Sequence, residues 1–239
     1  MSLIYINPYF FPSTATDPNF ASVSLLLHGD GTNGSTTITD SSSSPKTVTA
    51  NGNTQISTAQ SKFSGGSSIL FDGSGDYLST PDTSSLDLST GDFTIEMWAR
   101  PATSLLFNAG FIVKRQNSGQ FGPLAIYRVG SSVSVFISST NSSWNIASNV
   151  TLGTLVLNTW HHIGLVRSGS QFIGFFDGTV TTVATSSNTL ASNALAWLIG
   201  AGDIAADSFN GYIEEVRITK GIARYTTNFT PPTAPFPDA

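Results

Sequence analysis

Charge is scarce in this sequence, so the places where titratable side chains gather stand out. Glu96 lies in FTIEMWAR, His161 and His162 in TWHHI, and Glu214 and Glu215 in IEEVR. Glycoside hydrolysis needs two carboxylates a few ångströms apart, one as acid and one as nucleophile or base. FTIEMWAR offers only Glu96, and the adjacent Glu214 and Glu215 point to opposite faces of a regular strand. A Ser-His-Asp site would need an exposed serine nucleophile, and no G-x-S-x-G elbow occurs. TWHHI reads instead as a strand in which Trp160 and one histidine pack while the other histidine faces solvent. The expectation is a protein that is not an enzyme.

Two further groups of residues could bind rather than react. Trp144 and Asn145 sit in SSTNSSWNIASN, the most polar neighbourhood of any tryptophan here, and Lys114, Arg115 and Asn117 sit just before FGPLAIYRV. An aromatic plate flanked by amides suits stacking on a pyranose ring; the alternative is that Trp144 caps the edge of a sheet. Calcium would take hard oxygen ligands from several segments, and Asp30, Asp72, Asp76 and Asp203 stand in oxygen-rich loops. If Val216 and Ile218 face a core, period 2 puts Glu214 on the same face. A buried carboxylate needs a cation or a full set of hydrogen bonds. A structural Ca²⁺, which would involve Asp30 or Glu214, an arginine partner, or a bulge that turns Glu214 outward would each answer that need. No cofactor is required by any motif.

The elements that must position these residues are strands. Apolar side chains alternate in FTIEMWAR, where Phe93, Ile95, Met97 and Ala99 share one face, and in SVSVFI, where Val133, Val135 and Ile137 do. VSLLLH, SILF, WHHIGLVR, QFIGFFDG and AWLIG are apolar on both faces in places, as central strands of packed sheets are. Turn signals such as HGDGTNG, FDGSGDY, RSGS and GAGD separate them at short intervals. Helical periodicity is almost absent. Many short strands so punctuated predict an all-β, two-sheet antiparallel jelly-roll sandwich. Residues 40–53 read as a polar surface hairpin or loop.

Composition excludes several functions. Only 10% of the 239 residues are charged and the net charge is −5, which argues against a nucleic-acid backbone as partner. The longest apolar run is a handful of residues, too short to insert across a bilayer. Serine and threonine make up about a quarter of the chain, so hydroxyls solubilise the surface. There are no cysteines, which suits synthesis in a reducing cytoplasm. The start, MSLIYINPYFFPSTATDPNF, lacks the basic region of a secretory signal and is interrupted by Pro8 and Pro12. Residues 1–20 read as an extended arm carrying Ile4, Tyr5, Tyr9, Phe10 and Phe11. Such apolar side chains either add an edge strand to their own sandwich or dock on another chain.

Three segments carry a resemblance: SILFDGSGDYLSTPDTSSLDLSTGDFTIEMWARP (68–101), NTWHHIGLVRSGSQFIGFFDGT (158–179), and FNGYIEEVRITKGIARYTTNFTPPTAPFP (209–237) after LIGAG. Together they resemble laminin-G-like, concanavalin A-like jelly-roll domains, notably those of bacteriophage virion proteins. The resemblance covers roughly residues 21–237 and implies two antiparallel sheets. It makes the charged stretch from Glu214 to Arg224 the closing strand and the turn after it. The tail with Pro231, Pro232, Pro235 and Pro237 then lies back across the sandwich. The resemblance gives W-H-H no catalytic role. The expectation is one domain, residues 21–239, behind a 1–20 docking arm. It would be a capsid decoration protein or tail-associated adhesin on the virion surface, made in the host cytoplasm. Its partners would be other virion proteins or its own copies, and glycans. The alternatives are a bacterial carbohydrate-binding module and a glycan hydrolase, since this fold hosts all of these.

Overall fold

The computed structural model describes residues 16–102, 108–115, 119, 121–202 and 207–239. Asn117, Asp203 and the arm residues Ile4, Tyr5, Tyr9, Phe10 and Phe11 lie outside the described residues. The strands, in chain order, are β1 (Val23–Leu27), β2 (Thr49–Asn51), β3 (Gln55–Ser57), β4 (Ser68–Asp72), β5 (Tyr77–Thr80), β6 (Phe93–Pro101), β7 (Ala109–Val113), β8 (Leu124–Val129), β9 (Ser132–Ile137), β10 (Ala147–Thr154), β11 (His161–Ser168), β12 (Gln171–Phe176), β13 (Thr179–Thr185), β14 (Trp197–Ile199) and β15 (Asn210–Lys220). Two single-turn 3₁₀ helices, Phe20–Ser22 and Ser84–Leu86, are the only helical segments among the described residues.

The strands form two antiparallel sheets, as the alternation predicts. One runs β13-β12-β11-β6-β15-β4-β3, with β1 also paired to β15. The other runs β10-β9-β8-β7-β14-β5-β2. Phe93, Ile95, Met97 and Ala99 of β6 meet Val133, Val135 and Ile137 of β9 in the core between them. Trp197, Phe71, Phe111 and Phe209 lie in the same core and are fully buried. Each large apolar side chain so buried contributes about 1.5–3 kcal/mol, which is why the alternating strands hold their register. Residues 40–53 are not a hairpin. Thr49–Asn51 pairs with β5 in one sheet, while Gln55–Ser57 pairs with β4 in the other. The chain crosses between sheets at Gly52, whose φ is +69°.

β15 organises the first sheet. One long side pairs with β6; the other pairs with β4 through Asn210–Ile213 and then with β1 through Val216–Thr219. At the junction the register slips: Glu214 faces Trp98, but Arg217 faces Glu96. Four residues of β15 therefore oppose three of β6, and Glu215 takes a φ of +57°. This is a β-bulge, which re-aims side chains. It corrects the strict period-2 expectation for β15. Ile213, Val216 and Ile218 face the core, and Glu214, Glu215 and Arg217 turn to the outer side. The two adjacent glutamates do not point to opposite faces.

Candidate functional site

Polar chemistry gathers on the outer faces of both sheets, in different states. On the first sheet it is sealed. Glu96, fully buried, accepts hydrogen bonds from Arg217 Nε at 3.0 Å and Nη2 at 2.7 Å. Arg217 Nη1 also donates to Asp17 at 3.3 Å, and Arg224 donates to both oxygens of Asp17 at 3.1 and 2.6 Å. His162 Nε2 approaches Glu96 Oε2 to 3.3 Å, obliquely, so the contact is electrostatic rather than an aligned hydrogen bond. Burial pushes the Glu96 carboxyl up, but the Arg217 guanidinium and His162 outweigh it and hold the group at about 2. Asp17 belongs to the stretch read as the arm, yet it is buried and its N–H donates to the carbonyl of Ala239 at 2.8 Å. Both ends of the described chain thus meet over this face.

The C-terminal segment lies back across the sandwich, as the prolines imply. Tyr225 and Phe229 stack at 3.8 Å, and Phe229 meets His162 and Phe175 edge-on. Phe236 lies over the Arg217 guanidinium at 3.7 Å. The backbone comes close at Gly178, where the Phe229 N–H donates to the glycine carbonyl at 3.0 Å. Gly178 has a φ of +77°, and a Cβ there would sit 2.0 Å from the Phe229 oxygen. Glu215 accepts from the Phe236 N–H at 2.7 Å and contacts His28 Nδ1 at 2.8 Å. Both histidines of TWHHI are buried, contrary to the expectation of one facing solvent. His161 Nε2 accepts from the Val156 N–H, so its Nδ1 carries the proton toward Asp177 at 2.7 Å. His162 lies under the C-terminal strap.

The residues considered for calcium are placed separately. Asp30 is exposed in the loop after β1. Glu214 is buried, and its carboxylate accepts from the Lys62 N–H at 2.6 Å and the Ser61 hydroxyl at 3.3 Å. Burial raises this group, the Lys62 N–H opposes, Glu215 adds to the rise, and it stands at about 7. Among the described residues no group of three or more His, Cys, Asp or Glu side chains could hold a metal ion.

On the second sheet the outer face holds an open hollow of about 160 Å³. Tyr127 from β8 and Phe136 from β9 form its floor; Arg115, just after β7, and Trp144, in the β9–β10 turn, stand at its sides. Asn108 and Asp207 come from the loops before β7 and β15. Trp144 is half-buried and leans against Phe136 and Phe121, with ring centroids 5.6 and 5.4 Å away. Arg115 donates through Nε to the Gly202 carbonyl at 2.9 Å and through Nη2 to the Tyr127 hydroxyl. Asp207 lies 3.9 Å from Arg115 and accepts from the Tyr127 hydroxyl at 3.3 Å. Only glycine fits at 202, since a Cβ would sit 1.7 Å from that hydroxyl.

Of the residues singled out for sugar contact, the structure brings Trp144 and Arg115 together. Asn145 bonds within its own turn, to Ser138 and Ser139, and does not line the hollow. Lys114 is buried and bonds Asp82 at 2.6 Å. Tyr127, Phe136 and Asp207 were missed. The signal for the first two was an aromatic on the outward-facing register of an alternating strand; Asp207 carried none.

Two large antiparallel sheets, with an aromatic and polar hollow on one outer face, define a lectin-like domain. The chain belongs to the concanavalin A-like lectin/glucanases superfamily, whose sequence profile matches residues 72–223. It is similar in structure to the binding domain of Paraclostridial Mosquitocidal Protein 1, with a TM-score of 0.63, 13% identity, and 84% of this chain and 49% of that one covered. It is also similar to domain 4 of AbnA, a GH43 extracellular arabinanase from Geobacillus stearothermophilus, in complex with arabinotriose; there the TM-score is 0.61 and the identity 15%, over 84% of this chain and 94% of that one. The binding domain of botulinum neurotoxin DC in complex with SialylT gives a TM-score of 0.61 at 16% identity, over 84% and 48%. The chain spans about half the length of the toxin binding domains it resembles. At such identities the likeness shows the fold alone. No curated protein matches the chain by sequence.

Proposed function

We propose that this protein is a non-enzymatic glycan-binding domain that binds sugar in the hollow beside Trp144. The observation that carries the reading is the convergence there of a half-buried indole, a phenol and a carboxylate from three separate segments. An aromatic face stacks on the C–H face of a pyranose or furanose, while fixed polar groups orient its hydroxyls. The arabinotriose complex of the similar arabinanase domain supports a sugar as ligand. The non-enzymatic part is supported by the commitment of Glu96, Glu214 and Glu215: each is buried and bonded to an arginine, a loop or the C-terminal strap. Glycosidase carboxylates must instead face an open cleft. Trp144→Ala is expected to weaken glycan binding about tenfold, the scale of one lost aromatic contact. Unchanged binding on a glycan microarray would sink the assignment of the site.

In this reading the domain sits on a virion surface, with its N-terminal arm docking on particle proteins or on its own copies. The three-segment sequence resemblance and the absence of cysteine support that setting. Immunogold labelling of purified particles tests it, and an unlabelled particle refutes it. A second reading, a carbohydrate-binding module of a larger bacterial protein, is favoured by the 94% coverage of the arabinanase domain.

A further inference from the structure

A second hollow, of about 230 Å³, is lined by Phe121, Asn141, Asn193, Ala194 and Leu195. Phe121 also touches Trp144 edge-on at 5.4 Å, so the Phe121–Trp144 pair forms a ridge with a hollow on each side. Asn141, three residues before Trp144, donates to the Ser192 carbonyl at 2.8 Å and ties the Trp144 turn to the 192–195 loop. Its side chain is exposed. Each hollow alone is smaller than a small-molecule site, about 300 Å³ at the least, whereas the two together reach that range. The charges are also informative. Among the described lining residues, Arg115 and Asp207 are the charged ones; they face each other, and Arg115 is already bonded to Gly202 and Tyr127. The second hollow has no charged lining residue among those described.

We infer that the two hollows form one site for an uncharged oligosaccharide of at least two units, laid across the Phe121–Trp144 ridge. This rests on the glycan-binding reading of the first hollow and adds chain length and charge to it. A carboxylate-bearing sugar would have to compete with Asp207 for Arg115 or be desolvated without a cation, which costs more than a neutral hydroxyl does. A neutral chain meets hydroxyl and amide partners in both hollows and a ring face between them.

The full chain is tested on a microarray of neutral arabinan, xylan, mannan and glucan oligosaccharides of one to six units, printed beside sialylated and uronic-acid glycans. Neutral glycans are expected to bind, more tightly as length grows from one to three units, and equally in 0.1 and 0.5 M NaCl. Asn193→Ala is expected to weaken the best neutral oligosaccharide about three- to tenfold, the range of one lost hydrogen bond, and to leave the single sugar unchanged. Preference for sialylated or uronic-acid glycans, or binding independent of length, overturns this inference and leaves the glycan reading standing. Binding to no glycan overturns both.

Discussion

Replacing Arg217 by methionine tests whether the charged closing strand is architecture. The substitution keeps an apolar stem against Phe236 but removes both donors to Glu96 Oε1 and one to Asp17. Glu96 has no exposed surface, so water cannot replace them. Breaking a buried pair by removing one partner costs about 3–5 kcal/mol. The acid titration of Glu96 gives a second route to the same interaction. Its carboxyl is held at about 2 rather than 4.5, and at about 1.4 kcal/mol per pH unit that amounts to about 3 kcal/mol. Because the folded value is depressed, this stabilisation is present above pH 4.5 and is lost as pH falls toward 2. At 2–4 °C per kcal/mol for a domain of this size, Arg217→Met is expected to lower Tm by about 6–20 °C at pH 7. The deficit should shrink as pH falls, because burial raises the Glu96 carboxyl once the guanidinium is gone and the group then protonates. Adding Glu96→Gln to the variant should recover part of the loss at pH 7. Circular dichroism melts from pH 3 to pH 8 measure all of this. A single variant within 1 kcal/mol of wild type, or a double variant no more stable than the single, would refute the reasoning.

Glu214 titrates in the opposite sense: its value is raised to about 7, so the stability it supplies is complete below pH 4.5 and is lost as pH climbs to 7. Glu214→Gln should therefore raise Tm at pH 8, by up to about 3 kcal/mol of stability, and change little at pH 4; chemical denaturation at the two pH values checks it. Phe236→Ala, at a buried ring packed with Val23 and Leu26, is expected to cost about 3–5 kcal/mol, seen as a lower urea midpoint with little change in slope. Deleting residues 2–15, which spares Asp17 and its arginine contacts, should leave Tm within a few degrees and abolish assembly onto particles; assembly that survives moves the anchor elsewhere.

The alternation in FTIEMWAR and SVSVFI was legible because period 2 is local, and every core position read from those strands lies in the core. The partial exposure of Trp144 was legible because a lone indole among serines and asparagines is out of place in a core. For Glu214 the sequence offered a bulge, an arginine or a cation, and the bulge is what the structure has; the choice among them was not local. The bulge that turns it outward depends on β1 and β4 sharing one side of β15 end to end, a relation between segments about 190 and 140 residues away in sequence. The burial of His162 is equally non-local, since Phe229 covers it from the far end of the chain. The bonding of Asn145 and Lys114 was not legible, because an amide or an ammonium beside a candidate site does not reveal which way it bonds. Asn145 serves its own turn, and Lys114 reaches back to Asp82.

The placement of charge explains why one face and not the other is open to a ligand. Glu96, Arg217, Asp17, Arg224 and Glu215 all lie on the outer face of the first sheet, where they tie the segments at Asp17 and Phe236 to the sandwich. A face held in this way cannot also present those groups to a partner without releasing the strap and uncovering Phe229 and Phe236. Among the described residues no such strap crosses the Trp144 hollow, and the outward positions of β8 and β9 there carry Tyr127 and Phe136 rather than charge. With 10% of the chain charged and a net charge of −5, little field remains to steer an anion. On the proposed reading, recognition on the open face falls to ring faces, hydroxyls and amides, groups whose contacts are short-ranged and insensitive to salt. That makes salt independence of binding a property of the whole chain's charge economy, and not only of the few residues that line the hollow.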